Sequence, residues 1–207
     1  IPPAGFSPGF VRRVVDAVRA MTEPPDPVDL GLRLSQALEQ HGVSHAIGGA
    51  LAYGIWGIPR TTLDLDMNVF VEPHDLDPVF DALRSMSISV DEDVARRASE
   101  VDGMFTVRIG GCRIDLFTAS IDFAWIAEET RVKKRIGDVE TWFLSAESLA
   151  VFKLLFFRTK DIADLERLVE IQGRRLDTTW VRQHLVEIVG EDDERITQWD
   201  RMVGETG

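Results

Sequence analysis

The stretch His45-Ala-Ile-Gly-Gly-Ala-Leu-Ala-Tyr-Gly-Ile-Trp-Gly-Ile-Pro-Arg-Thr-Thr-Leu-Asp-Leu-Asp-Met-Asn-Val-Phe-Val71 decides how the chain is read. It reads as a short apolar strand, a Gly48-Gly49 turn that opens a helix, a break at Gly57-Ile58-Pro59, and a second strand beginning Leu63-Asp64-Leu65-Asp66. Side chains at i and i+2 of a strand leave the same face. Asp64 and Asp66 therefore point one way, and Leu65 and Met67 point into the other layer. Two carboxylates side by side repel unless a cation or a proton sits between them, and Mg²⁺ usually takes one or two carboxylates plus substrate phosphates. The glycine turn supplies the complementary half, because amides at a Gly-rich turn leading into a helix are unpaired, point outward and favour negative charge.

Working outward toward the N-terminus, residues 1–8 are Pro- and Gly-rich and read as an ordering-poor arm. Val11, Val14, Val15, Val18 and Met21 then recur at helical spacing over Phe10–Met21, and Glu23-Pro24-Pro25-Asp26-Pro27 stops that helix. A second helix is expected over Val28–Gln40, with Leu30, Leu34, Ala37 and Leu38 inward.

Downstream, Leu76–Met86 has helical periodicity, and the acidic stretch Ser89–Gly103 reads as a solvated loop or an exposed helix. Phe105–Ile109 and Cys112–Phe117 flank Gly110-Gly111, the sequence form of a two-residue hairpin. The second strand carries Asp115 alone in an apolar run. An unpaired buried carboxylate is expensive, so Asp115 must face a charge. Ile121–Glu129 reads as a short helix, and Arg131–Arg135 with Val139–Phe143 as another hairpin; its four basic residues in five form the local patch suited to a phosphate-bearing partner. Ser145 caps a helix running to Phe157, in which Lys153 lies on an apolar stripe and by itself would snorkel to solvent. Arg158-Thr159-Lys160-Asp161 opens the next helix, with Asp161 and Asp164 on one face, and Thr178–Val189 and Ile196–Met202 follow as amphipathic helices.

Composition narrows the function. The chain has 207 residues, 44% of them hydrophobic, enough to bury a real core. Thirty-five acidic against 23 basic side chains leave a net charge of −12, which excludes a surface uniformly adapted to polyanions and demands a local patch for any nucleic-acid partner. The single cysteine, Cys112, excludes an internal disulfide and reads as a small buried hydrophobe. No apolar run approaches a membrane span and the N-terminus does not read as a signal peptide, so the expectation is a cytoplasmic protein without a membrane partner.

The ordered combination of Gly48-Gly49, Arg60-Thr61-Thr62 and Asp64-x-Asp66 resembles the signature of the polymerase-β-type nucleotidyltransferase superfamily. Leu149-x-x-x-Lys153 followed by Arg158-x-Lys160-Asp161-x-x-Asp164-Leu-Glu further resembles the AbiEii-type and MenT-type nucleotidyltransferase-like toxins of bacterial toxin–antitoxin systems, so that the likeness spans roughly residues 40–172. That resemblance implies an α+β fold, a mixed sheet flanked by helices with a C-terminal helical bundle. It divides the chain into N-terminal helices over 1–42, a catalytic core over 43–144 and a helical region over 145–207. It also implies a metal-dependent transferase (EC 2.7.7 type) moving a nucleoside monophosphate from an NTP. Asp64, Asp66 and Asp115 would hold Mg²⁺ or Mn²⁺. Lys153 and Asp164 would join them in catalysis, with Lys153 on the triphosphate, and Gly48, Gly49, Arg60, Arg158 and Asp161 would bind substrate. The implied acceptor is tRNA, with a cognate antitoxin as partner; a small aminoglycoside-like molecule or a protein is the alternative acceptor, and an inert nucleotide-binding module the non-enzymatic reading. The chain departs from the more usual Gly-Ser turn by carrying glycine at Gly49.

Overall fold

The computed structural model describes residues 25–204; the expected arm over 1–8 and the helix over Phe10–Met21 lie outside them. Helix α1 (Pro27–Gln40) begins where Asp26 accepts a hydrogen bond from the Val28 amide at 3.0 Å and Pro27 supplies a helical φ. After it come β1 (His45–Ile47), α2 (Gly49–Trp56), β2 (Asp64–Val69), α3 (Asp77–Ser85), α4 (Glu92–Asp102), β3 (Met104–Ile109) and β4 (Cys112–Phe117). The chain continues through α5 (Phe123–Glu129), β5 (Val132–Ile136), β6 (Val139–Phe143), α6 (Ala146–Phe156), α7 (Thr159–Gln172), α8 (Thr178–Val189) and α9 (Glu194–Gly204). The ambiguous acidic stretch is therefore a helix: Asp91 caps α4, only Ala95 and Ser99 on it are buried, and Gly103 ends it at φ +70°.

The strands form one mixed sheet in the order β3-β4-β2-β1-β6-β5. β1 runs antiparallel to β2 and parallel to β6, while β2 runs parallel to β4. The two hairpins, β3–β4 and β5–β6, close the edges, and Gly110 and Gly111 take the positive φ values that a two-residue turn requires. Helix α1 covers one face: a Cβ built on its Gly31 would meet Leu65 Cδ1 at 3.2 Å and Ile47 Cδ1 at 3.4 Å. Leu65, Met67 and Val69 are fully buried on that side. The other face of β2 carries Asp64, Asp66 and Asn68 beneath α6 and the start of α7. The result is the expected α+β architecture, with helices flanking a mixed sheet and α6–α9 packed together at the C-terminal side. Among the described residues no helix is long and apolar enough to cross a membrane.

Candidate active site

Register decides which carboxylates meet. In the parallel β2–β4 pair, Asp66 is the Cα partner of Asp115 and Asp64 is the partner of Arg113. Partners across a ladder share a face, so Asp66 and Asp115 stand side by side although 49 positions separate them in sequence. Asp115 is buried, as its apolar surroundings require, and its Oδ1 accepts from Thr106 Oγ1 at 2.6 Å and from Arg113 Nε at 2.8 Å. Among the described residues none donates to its Oδ2. Asp64 is exposed at the mouth of the site.

Asp66 lies under the first turn of α2. Gly49 has φ +51°, and a Cβ built there would come 1.7 Å from Asp66 Oδ2. A side chain at position 49 and the Asp66 carboxylate cannot occupy this space together, which explains glycine where the resembled signature more often has serine. The Gly48 amide donates to the Asp66 carbonyl at 2.9 Å, and the first α-helical bond runs from the Ala52 amide to the Gly48 carbonyl at 3.0 Å. Amides earlier in that turn consequently lack intrahelical acceptors, and Gly49 and Ala50 line the cleft. Burial raises the Asp66 pKa, the neighbouring Asp115 raises it further, and Lys160 and Arg158 act against both.

Those two cations come from the start of α7. Lys160 is exposed over the carboxylates, and the Arg158 guanidinium, held protonated chiefly by its hydrogen bond to Asp161, also feels Asp66 and Asp115. Lys160 stands in the quoted motif without a role assigned to it, and Asn68, Thr106 and Arg113 carry no role in the sequence reading. Asn68 and Arg113 are each two residues from a named carboxylate, so strand alternation was the signal that could have found them.

Lys153 lines the cleft and does not snorkel to solvent. At 4% exposure its ammonium donates to Asp164 Oδ2 at 2.6 Å and to Asp161 Oδ1 at 3.4 Å, above the Tyr53 ring. Arg158 holds Asp161 from the other side at 2.6 and 3.3 Å, and Arg60 reaches Asp164 at 3.3 Å. Burial acts to raise the Asp161 pKa, but Arg158 and Lys153 outweigh it and hold the carboxyl below its usual range. The Tyr53 hydroxyl is pushed up by burial and then by Asp164. The basic run Lys133–Arg135 lies on edge strand β5, three strands from β2. Lys134 stacks on Trp56 at 4.4 Å and Lys133 on Trp142 at 5.3 Å. Charges there also guard an open sheet edge against further pairing.

Asp64, Asp66, Asp115, Arg113, Arg158 and Lys160 line one open cleft with a cavity volume of about 160 Å³. Among the described residues no three His, Cys, Asp or Glu side chains converge closely enough to hold an ion by themselves. Arg113 and Thr106 take one oxygen of Asp115, and Asp64 stands out in solvent. The donor set nevertheless fits a hard divalent ion shared with a phosphate, since Mg²⁺ needs only one or two carboxylates beside substrate oxygens, and the Asp66–Asp115 pair calls for a cation.

No family model matches the chain, and no curated protein matches it in sequence. Among solved structures it is similar to the solution structure of the antibiotic-resistance factor ANT(2'')-Ia, with a TM-score of 0.56 at 14% identity over 87% of this chain and 100% of that one. The crystal structure of ANT(2'')-Ia in complex with adenylyl-2''-tobramycin aligns with a TM-score of 0.54, also at 14% identity, over 87% of this chain and 98% of that one. The fold is the one these nucleotidyltransferases share.

Proposed function

We propose that this protein is a metal-dependent nucleotidyltransferase that moves a nucleoside monophosphate from an NTP to an acceptor hydroxyl. The observation that carries the reading is the β2–β4 register, which sets Asp66 against Asp115 on one face, opposite Arg158 and Lys160. In such a reaction the acceptor oxygen bonds to the α-phosphorus as the bond to the β-phosphate breaks and pyrophosphate leaves. A bound Mg²⁺ or Mn²⁺ supplies charge neutralisation at the attacking and leaving oxygens.

The chain's own groups divide the remaining work. The first-turn amides of α2 and the cations Arg158 and Lys160 bind and orient the triphosphate, Arg as a fork and Lys as a point charge. Asp115 Oδ2 is the free oxygen available to draw the acceptor proton, while Thr106 and Arg113 hold Oδ1 and fix the carboxylate's orientation. Lys153, with Asp161 and Asp164, supports the site from below by holding Arg158 and Arg60 in place. The implied direct contact of Lys153 with triphosphate requires that ammonium to leave two carboxylates, so Arg158 and Lys160 are the better-placed cations.

Two acceptor classes have specific support. A small cationic, hydroxylated molecule suits a chain of net charge −12, and ANT(2'')-Ia, the similar structure, was solved with an adenylylated aminoglycoside. A tRNA acceptor, with the toxin role and antitoxin partner that the AbiEii and MenT resemblance suggests, draws on the basic strand β5. The test incubates the protein with Mg²⁺ and each α-labelled NTP, alone and with total tRNA or an aminoglycoside panel. Label transferred to one acceptor and lost in Asp66→Asn supports the reading and names the class. Transfer that persists in Asp66→Asn overturns it.

A further inference from the structure

Beside Asn68 the catalytic cleft adjoins a second, mostly apolar recess with a cavity volume of about 200 Å³. Asn68, Phe117, Phe152 and Phe156 line both, so the two spaces are neighbours. Phe117 and Phe156 meet edge to face at 5.6 Å. Phe156 remains 44% exposed and Ile121, across the recess, 38% exposed, so apolar surface stands open beside a charged site.

Asn68, Asp102, Thr118 and Ser120 supply the polar side chains of the recess, and Asn68 is the one shared with the cleft. Asn68 is only 7% exposed, and its side-chain amide, which makes no hydrogen bond among the described residues, keeps contact with the solvent of the cleft. The amide reaches its position because Gly48 lacks a side chain: a Cβ there would lie 2.7 Å from Asn68 Nδ2. An amide presents a donor and an acceptor side by side, the complement of a nucleobase edge. Among the described residues Asp102 is the one charged side chain lining the recess. A polycation would want more carboxylates and a phosphate would want cations, so the lining suits a flat, weakly charged ring with a hydrogen-bonding edge. Asn68 also follows Asp66 by two residues on the same face of β2, about 7 Å along the strand, a span that a ribose bridges between an α-phosphate and its base.

We infer that this recess receives the nucleobase of the NTP, with Asn68 pairing to its edge and Phe117, Phe156 and Ile121 packing on its ring; the inference rests on the nucleotidyl-transfer reading. The test measures calorimetric binding, in Mg²⁺, of the four α,β-methylene NTPs and of inorganic tripolyphosphate to the parent protein and to Asn68→Ala and Ile121→Ser. At least one NTP analogue should bind about 10–100-fold more tightly than tripolyphosphate, the range expected when a base gains a stacking site. Both substitutions should erase most of that difference and leave tripolyphosphate affinity unchanged. Ile121→Ser alters a partly exposed side chain and keeps the test valid if Asn68→Ala folds poorly. Equal affinity for NTP and tripolyphosphate, or an advantage for NTP that both variants retain, overturns the inference while leaving the transfer reading standing. Binding of neither compound counts against the transfer reading itself. A rise in the acceptor's KM in the variants, with NTP binding unchanged, assigns the recess to the acceptor and also overturns the inference.

Discussion

Replacing Lys153 with methionine separates a structural strut from a phosphate ligand. The substitution keeps the length of the side chain and removes its charge. In the parent, Asp161 and Asp164 are 1% and 8% exposed and share the ammonium at 3.4 and 2.6 Å. Without it Asp161 retains Arg158, but Asp164 is left with only the Arg60 contact at 3.3 Å. Removing one partner of a buried ion pair costs about 3–5 kcal/mol because the other charge stays buried. For a domain of this size each kcal/mol moves the melting midpoint by about 2–4 °C, so a fall of roughly 6–20 °C is expected. Circular dichroism melts at pH 7 measure it, and added salt should leave the difference largely intact because a buried pair is poorly screened. Removing the stranded charge as well, in Lys153→Met with Asp164→Asn, should recover part of the loss. Acid stability carries a second signature. Asp161 has a lowered pKa, so its contribution is present above the ordinary carboxylate range and is lost as pH falls through the lowered value. Lys153→Met should therefore shift acid unfolding to higher pH. A variant that melts within about 2 °C of the parent and loses only triphosphate binding would refute the strut and return Lys153 to the role of phosphate ligand.

Asp66 should behave oppositely. Its raised pKa means that its stabilising contribution is present below the ordinary carboxylate range and lost as pH rises through the raised value, so the ionised group weakens the metal-free protein at pH 7. Asp66→Asn is expected to melt a few degrees higher at pH 7 and to lose that advantage toward pH 4, as scanning calorimetry at the two pH values would show. Gly49→Ala forces a Cβ into the Asp66 carboxylate at a residue with φ +51°; it should cost about 1 kcal/mol or more in stability and abolish nucleotide-dependent Mn²⁺ binding followed by electron paramagnetic resonance. Cys112 is 1% exposed, with its thiol pKa pushed up by burial. Ellman's reagent should leave it unmodified in the native protein and label it fully in guanidinium; rapid native labelling would contradict that packing.

Much of the architecture was legible because it depends on local chemistry. Gly110-Gly111 specifies a hairpin whatever surrounds it, since both residues must take positive φ. Ser145 announces the start of α6 because its hydroxyl satisfies the Ser148 amide at 3.0 Å. The stretch Ser89–Gly103 is ambiguous for the converse reason: α4 is mostly polar and buries only Ala95 and Ser99, so its amphipathic pattern is carried by few apolar residues, and the Asp91 cap carries the rest of the information.

The sequence by itself determined the two-faced strand β2. Alternation along a strand is a property of the backbone, so Asp64 and Asp66 had to leave one face and Leu65 and Met67 the other. Only the tertiary structure decided what those faces meet. Whether Asp115 stands beside Asp66 depends on the pairing register of two strands far apart in the chain, where a slip of one residue would turn Asp115 to the opposite face. Whether Lys153 meets solvent, phosphate or carboxylate depends on how α7 folds back over α6 and brings Asp161 and Asp164 to its ammonium. The energy of a buried charge is set by its partners in space, and a linear pattern of residue types does not contain those distances.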